Sequence, residues 1–181
     1  GGLARGIDLE EKLMTRALVL SLLFSVELLA QRGPGFGQRD VAPTGSRVEY
    51  KTFTSKILGR DLRYGLYLPP SYHMSPAKKY PVLYFLHGAF ENEMRWSTQG
   101  QTDLKLDQMI ADGKIGEFIV AIPSGANSFY TNTRDGSEKW EDMIVSEFIP
   151  MIESSNRAIG TRAGRGISGT SMGGYGALKL A

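Results

Sequence analysis

The chain contains no cysteine. That excludes disulfides, thiolate metal sites and cysteine nucleophiles, and it neither supports nor opposes export. Histidine is nearly as scarce: His73 and His87 are the two imidazoles in 181 residues. A net charge of +2 is small, and Lys and Arg are scattered without forming a stripe. A nucleic-acid partner is therefore not expected. No His/Asp/Glu cluster has ligand spacing, so neither a metal nor a cofactor is implied. What remains is an ordinary globular composition, 41% hydrophobic and 22% charged, at a length that suits one domain.

The start of the chain stands apart. Met14 opens "MTRALVLSLLFSVELLAQ", with a charge at Arg16, an apolar run from Ala17 to Val26, and Ala30 before a cleavage point. This is the plan of a secretory signal peptide over residues 14–30. The run is continuous rather than striped, and it falls short of the roughly 20 apolar residues that span a bilayer. The expected location is secreted or periplasmic, with no membrane attachment once the leader is removed. Residues 1–13 read as upstream sequence foreign to the natural protein. Residues 31–46, rich in Gly and Pro, read as a linker.

From residue 47 the pattern is that of an α/β fold. "VEYKTFTSKIL" and "DLRYGLYL" alternate around Gly59-Arg60 and predict a hairpin. Pro81 to Leu86 and Glu117 to Pro123 are continuous apolar runs, as in strands covered on both faces. Thr102 to Ala111 suits a helix. Trp140, Ile144, Phe148 and Ile152 make an i, i+4 stripe that predicts a second helix over Glu138 to Glu153. A short strand, Arg165 to Thr170, leads into Ser171, and a last helix begins after it. Strand–helix alternation of this kind means a sheet with flanking helices.

Ser171 sits in Gly169-Thr170-Ser171-Met172-Gly173, a G-x-S-x-G with a strand before it and a helix after it. In that context the pentapeptide reads as a nucleophile elbow, the alternative being a glycine-rich structural turn. Its turn is so tight that neighbours must be small, and the backbone N–H after the serine, here of Met172, faces a developing oxyanion. Gly164, Gly166 and Gly169 also match G-x-G-x-x-G. A dinucleotide site needs that pattern after a strand, however, and these glycines run through one. "LHGAF", after the first buried strand, is the corner that supplies the other half of an oxyanion hole. Ala89 N–H is its expected donor, with His87 and Gly88 supporting the loop. Trp96, Phe129 and Tyr130 lie in loops after strand ends and are candidates to line a substrate pocket.

Four segments, "LRYGLYLPPSYH", "YPVLYFLHG", "IVAIPSGANSFYTN" and "ISGTSMGGYGALKLA", resemble in this order the putative-esterase family of α/β hydrolases. That group includes feruloyl and acetyl-xylan esterases, esterase D and mycolyltransferases. The resemblance covers residue 47 to the end. It implies the N-terminal part of an α/β-hydrolase three-layer sandwich, in which the strands before His87 and Ser171 are neighbours. It also implies an Asp or Glu and then a His following the elbow helix, beyond Ala181. His73 cannot substitute as base: it precedes a six-residue strand, about 20 Å from the end where the site lies. His87, at the correct end, reads as a brace.

The expected activity is a secreted serine esterase. It hydrolyses carboxylic esters, such as acyl groups on carbohydrate, through an acyl-enzyme on Ser171. The chain by itself, lacking the acid and His, is expected to be nearly inactive. Acyl transfer to a sugar, or a non-catalytic carbohydrate-binding relative, are the alternatives.

Overall fold

Residues 48–67 alternate apolar and polar side chains, and that alternation folds into an antiparallel pair, β1 (Val48–Ser55) and β2 (Arg60–Tyr67), in register from Val48↔Tyr67 to Ser55↔Arg60. The computed structural model describes residues 48–181, so the expected leader at 14–30, the segment 1–13 and the linker 31–46 lie outside the described residues. The hairpin turn differs from the sequence reading. The first strand ends at Ser55 rather than running on to Leu58, and Gly59 closes the turn at φ 64°. The reason is Glu147, whose carboxylate accepts the Ser55 hydroxyl at 2.5 Å and the amides of Lys56 and Ile57 at 2.9 and 3.1 Å. Amides held this way are not available to a ladder.

The apolar runs become β3 (Val82–Leu86) and β4 (Ile119–Pro123), and the strand before the serine is β5 (Arg165–Gly169). The sheet order is β1-β2-β4-β3-β5. β2 meets β4 antiparallel, whereas β3 runs parallel to both β4 and β5. The neighbours β3 and β5 pair from Val82↔Arg165 to Leu86↔Gly169, so both strands end at the same level. All five residues of β4 are buried, as its continuous apolar run predicts.

Helices cover both faces. Two lie after β3, α1 (Arg95–Thr98) and α2 (Thr102–Ala111). Trp96 and Leu106 from these pack with Val48, Tyr67, Val120 and Ile122 on one face. The opposite face carries Leu66, Tyr84 and Leu86 under α3 (Trp140–Met143), a wide π turn (Ile144–Phe148), α4 (Ile149–Ser155) and α5 (Met172–Leu180). Trp140, Ile144, Phe148 and Ile152 are all buried there. Pro150 explains the wide turn. It has no N–H for the carbonyl of Ser146, and its ring would strike that carbonyl in a regular α-helix, so the ladder opens. Among the described residues, β5 is an edge strand, and a hollow of about 540 Å³ lined by Tyr84, Ile149, Ile167 and Leu180 lies between its helix-covered face and the helices α4 and α5. Ser171 does not line it. No helix among the described residues is long and apolar enough to cross a membrane.

Candidate active site

Three loops leave the carboxyl ends of β3, β4 and β5, and they concentrate the backbone strain. Six non-glycine residues have positive φ among those described. Five of them, Phe90, Ala126, Phe129, Tyr130 and Ser171, lie in these loops. Such conformations cost on the order of 1–3 kcal/mol each and persist where the surroundings over-determine them.

Ser171 has φ 52° and ψ −114°, outside both helix and strand regions, and is exposed at the start of α5. The turn is shaped by missing side chains. A Cβ on Gly173 would lie 1.9 Å from the Leu86 carbonyl oxygen, and one on Gly169 would lie 2.4 Å from the Gly173 carbonyl carbon. Glycine lets α5 start directly against the end of β3, where Thr170 N–H donates to Leu86 O at 3.1 Å. The N–H of Met172, whose side chain is buried, has no partner among the described residues.

The corner after β3 is held by side chains instead. His87 is buried and both ring nitrogens are engaged. Gly125 N–H donates to Nε2 at 2.9 Å, which makes Nε2 the unprotonated nitrogen. Nδ1–H then donates to Gly88 O at 2.8 Å. Burial pushes the imidazole's pKa below its ordinary value, against a smaller opposing effect of the Gly88 hydrogen bond. The peptide between Gly88 and Ala89 is planar and trans, so pinning its carbonyl also fixes the opposed N–H of Ala89. Gly88 N–H donates to Glu91 Oε2 at 2.9 Å, and Glu91 N–H returns to Gly88 O at 3.3 Å. Ala89 N–H has no partner among the described residues. A Cβ on Gly88 would come within 3.4 Å of Thr170 O, so the two corners touch.

Two of the three aromatic pocket candidates have other places. Trp96 is core: it lies in α1 between Tyr67 and Phe85, with ring centroids 5.8 and 6.4 Å away, because α1 must cover that face of the sheet. Tyr130 is fully buried. Its ring fills the space beside Gly125 and Gly176, and its hydroxyl donates to His87 O at 3.1 Å. It braces the corner and cannot touch a substrate. Phe129 is half exposed, edge-on to Tyr175 one turn beyond Ser171. Sequence reasoning missed Gly125, Gly176 and Tyr175. An i+4 relation to Ser171 was the available signal for Tyr175. His73 is exposed beside Tyr72, before the start of β3.

A strand–serine–helix corner packed on a second corner with an unpartnered amide, at the parallel strands' carboxyl ends, is the arrangement of an α/β hydrolase. The chain belongs to the family described as Putative esterase, which it matches over residues 55–181. It is 35% identical over 133 residues to an endo-1,4-beta-xylanase/feruloyl esterase of Xylanibacter ruminicola, covering 70% of this chain and 18% of that protein. It is 31% identical over 158 residues to an esterase of Mycobacterium tuberculosis, covering 83% of this chain and 33% of the relative. Among solved structures, a ferulic acid esterase aligns with TM-score 0.68 and 36% identity over 73% of this chain and 53% of the other. The chain thus spans a third or less of these curated relatives, and about half of that structure.

Proposed function

We propose that the chain carries the nucleophile and oxyanion hole of a serine carboxylic-ester hydrolase. The observation that carries this is Ser171, exposed in a strained turn beside the corner that leaves Ala89 N–H unpartnered. Ser171 Oγ attacks the ester carbonyl carbon and gives its proton to a histidine. The tetrahedral oxyanion accepts hydrogen bonds from Ala89 and Met172 N–H, donors worth about 3–4 kcal/mol each because they are fixed before charge develops. Collapse breaks the C–O bond, and the leaving alcohol takes the proton back. Water then repeats the sequence on the acyl-enzyme and releases the acid.

The base is neither resident histidine. His87 has both nitrogens committed, and His73 is at the wrong end of β3. The reading therefore needs a histidine from outside these 181 residues, and a carboxylate to orient it. The chain alone is proposed to be nearly inactive. Acyl groups on plant polysaccharide are the proposed substrates, supported by the xylanase and feruloyl esterase relative. Phe129 beside Tyr175 offers an apolar wall for an acyl group. The leader-like start at Met14 supports secretion.

The test uses the full-length natural chain and p-nitrophenyl acetate. Ser171→Ala is expected to lower kcat by roughly 10⁶-fold, the scale of losing a triad nucleophile. A variant that keeps most of its rate overturns the assignment.

A further inference from the structure

The outer limb of the corner after β3 has no apolar anchor. Phe90 is 85% exposed and sits at φ 62°. It is the third residue of the turn that Glu91 N–H closes on Gly88 O, and a positive φ there is the type II pattern, which favours Gly or Asn. With Phe in that place, the flipped turn, with φ negative, would relieve the strain. One group opposes the flip: Phe90 N–H, on the turn's central peptide, donates to Asn127 Oδ1 at 2.7 Å.

Asn127 belongs to the turn in which Ser128 N–H donates to Gly125 O at 3.2 Å. Gly125 N–H in that same turn holds His87 Nε2. The loop after β4 therefore grips the loop after β3 on both sides of Ala89, at His87 through Gly125 and Tyr130 and at Phe90 through Asn127. Of the four amides from Gly88 to Glu91, those of Gly88, Phe90 and Glu91 have acceptors. The amide between the two grips is the one proposed to meet the oxyanion.

We infer that Asn127 is a positioning residue for the reaction: its carboxamide holds the Ala89–Phe90 peptide on the far side of Ala89 while His87 holds the Gly88–Ala89 peptide that carries the amide, and only the two restraints together fix the Ala89 Cα and keep its amide aimed at the oxyanion. The inference rests on the esterase reading. A donor fixed beforehand stabilises charge that exists only in the transition state, so loosening it lowers kcat and leaves substrate binding alone.

The experiment compares Asn127→Ala and Asn127→Asp in the full-length chain. Asp keeps an acceptor oxygen at the same reach. Removing one donor outright costs 10²–10³ in kcat, so loosening one is expected to cost about tenfold in Asn127→Ala, with KM unchanged within about twofold and Asn127→Asp near wild type. Amide hydrogen exchange over residues 88–91 should speed up in Asn127→Ala and not in Asn127→Asp. Unchanged kcat, a rise in KM alone, or unchanged exchange in Asn127→Ala overturns the inference while Ser171-dependent turnover stands. Wild-type turnover that does not depend on Ser171 overturns the esterase reading, and this role with it.

Discussion

At the end of β5 the backbone takes its path because carbon atoms are missing. At the end of β3 it takes its path because side chains reach back to hold it. Gly169 and Gly173 leave no room for a methyl group against Leu86. By contrast, His87, Glu91, Asn127 and Tyr130 each contribute a polar atom to the other corner. The first corner is fixed by repulsion, which is steep and independent of pH. The second is fixed by hydrogen bonds, which are modest one by one and depend on protonation. The reaction centre proposed at these corners should fail abruptly when one corner is changed and by degrees when the other is.

The largest expected effect is on the glycine side. Gly173→Ala places its methyl 1.9 Å from Leu86 O, where only backbone can yield. A loss of about 3 kcal/mol or more is expected, read from the urea midpoint of unfolding. Gly174→Ala is the matched control. Its methyl meets nothing nearer than 3.5 Å, and alanine favours a helix by about 1 kcal/mol, so this variant should be neutral or more stable. Equal behaviour of the two variants would break the distinction drawn between the corners.

A smaller effect is expected from Tyr130→Phe, which keeps the ring between Gly125 and Gly176 and removes the donor to His87 O. Leaving that buried carbonyl without its phenol should cost about 1 kcal/mol in the same unfolding measurement. A urea midpoint unchanged to within error would mean the hydroxyl is not part of the brace.

The smallest effect is a slope with pH. Burial lowers the pKa of His87 in the fold, so between the ordinary imidazole value and the folded one the unfolded chain binds more protons. Stability therefore rises with pH across that window. It is fully present above an ordinary imidazole pKa of about 6.5 and is lost as pH falls through the folded value. Comparing Tm between pH 7.5 and 5, as round values about that pKa, in wild type and His87→Gln checks this. The glutamine variant should lose part of the acid sensitivity, and identical slopes would exclude His87 as its source.

Legibility divided along the same line. The elbow could be read because its physics is local: glycines at fixed offsets from a serine, a strand before, a helix after. The polar corner could be read only at His87, Gly88 and Ala89. Apart from Glu91, its other members come from the loop after β4, some forty residues away by sequence numbering, and Gly125, Asn127 and Tyr130 show no periodicity that would betray a long-range contact. Trp96 and Tyr130 misled because a loop aromatic reads the same whether it faces substrate or core. The helix stripe carries the signature of its π turn. Apolar residues spaced strictly by four, at 140, 144, 148 and 152, exceed the 3.6 period of an α-helix and fit a ladder with one widened turn.

The close approach of α5 to β3 also bears on how this sequence can drift. A gene copying itself with errors samples one substitution at a time, and every single-base change of a glycine codon that alters the residue adds at least one carbon. At Gly169 and Gly173 that carbon meets backbone, so these positions have no neutral neighbours in sequence space. Asn127 and Glu91 have neighbours that keep an acceptor oxygen. Variation in this chain should therefore accumulate in the loops after β3 and β4, with the turn around Ser171 as the fixed point.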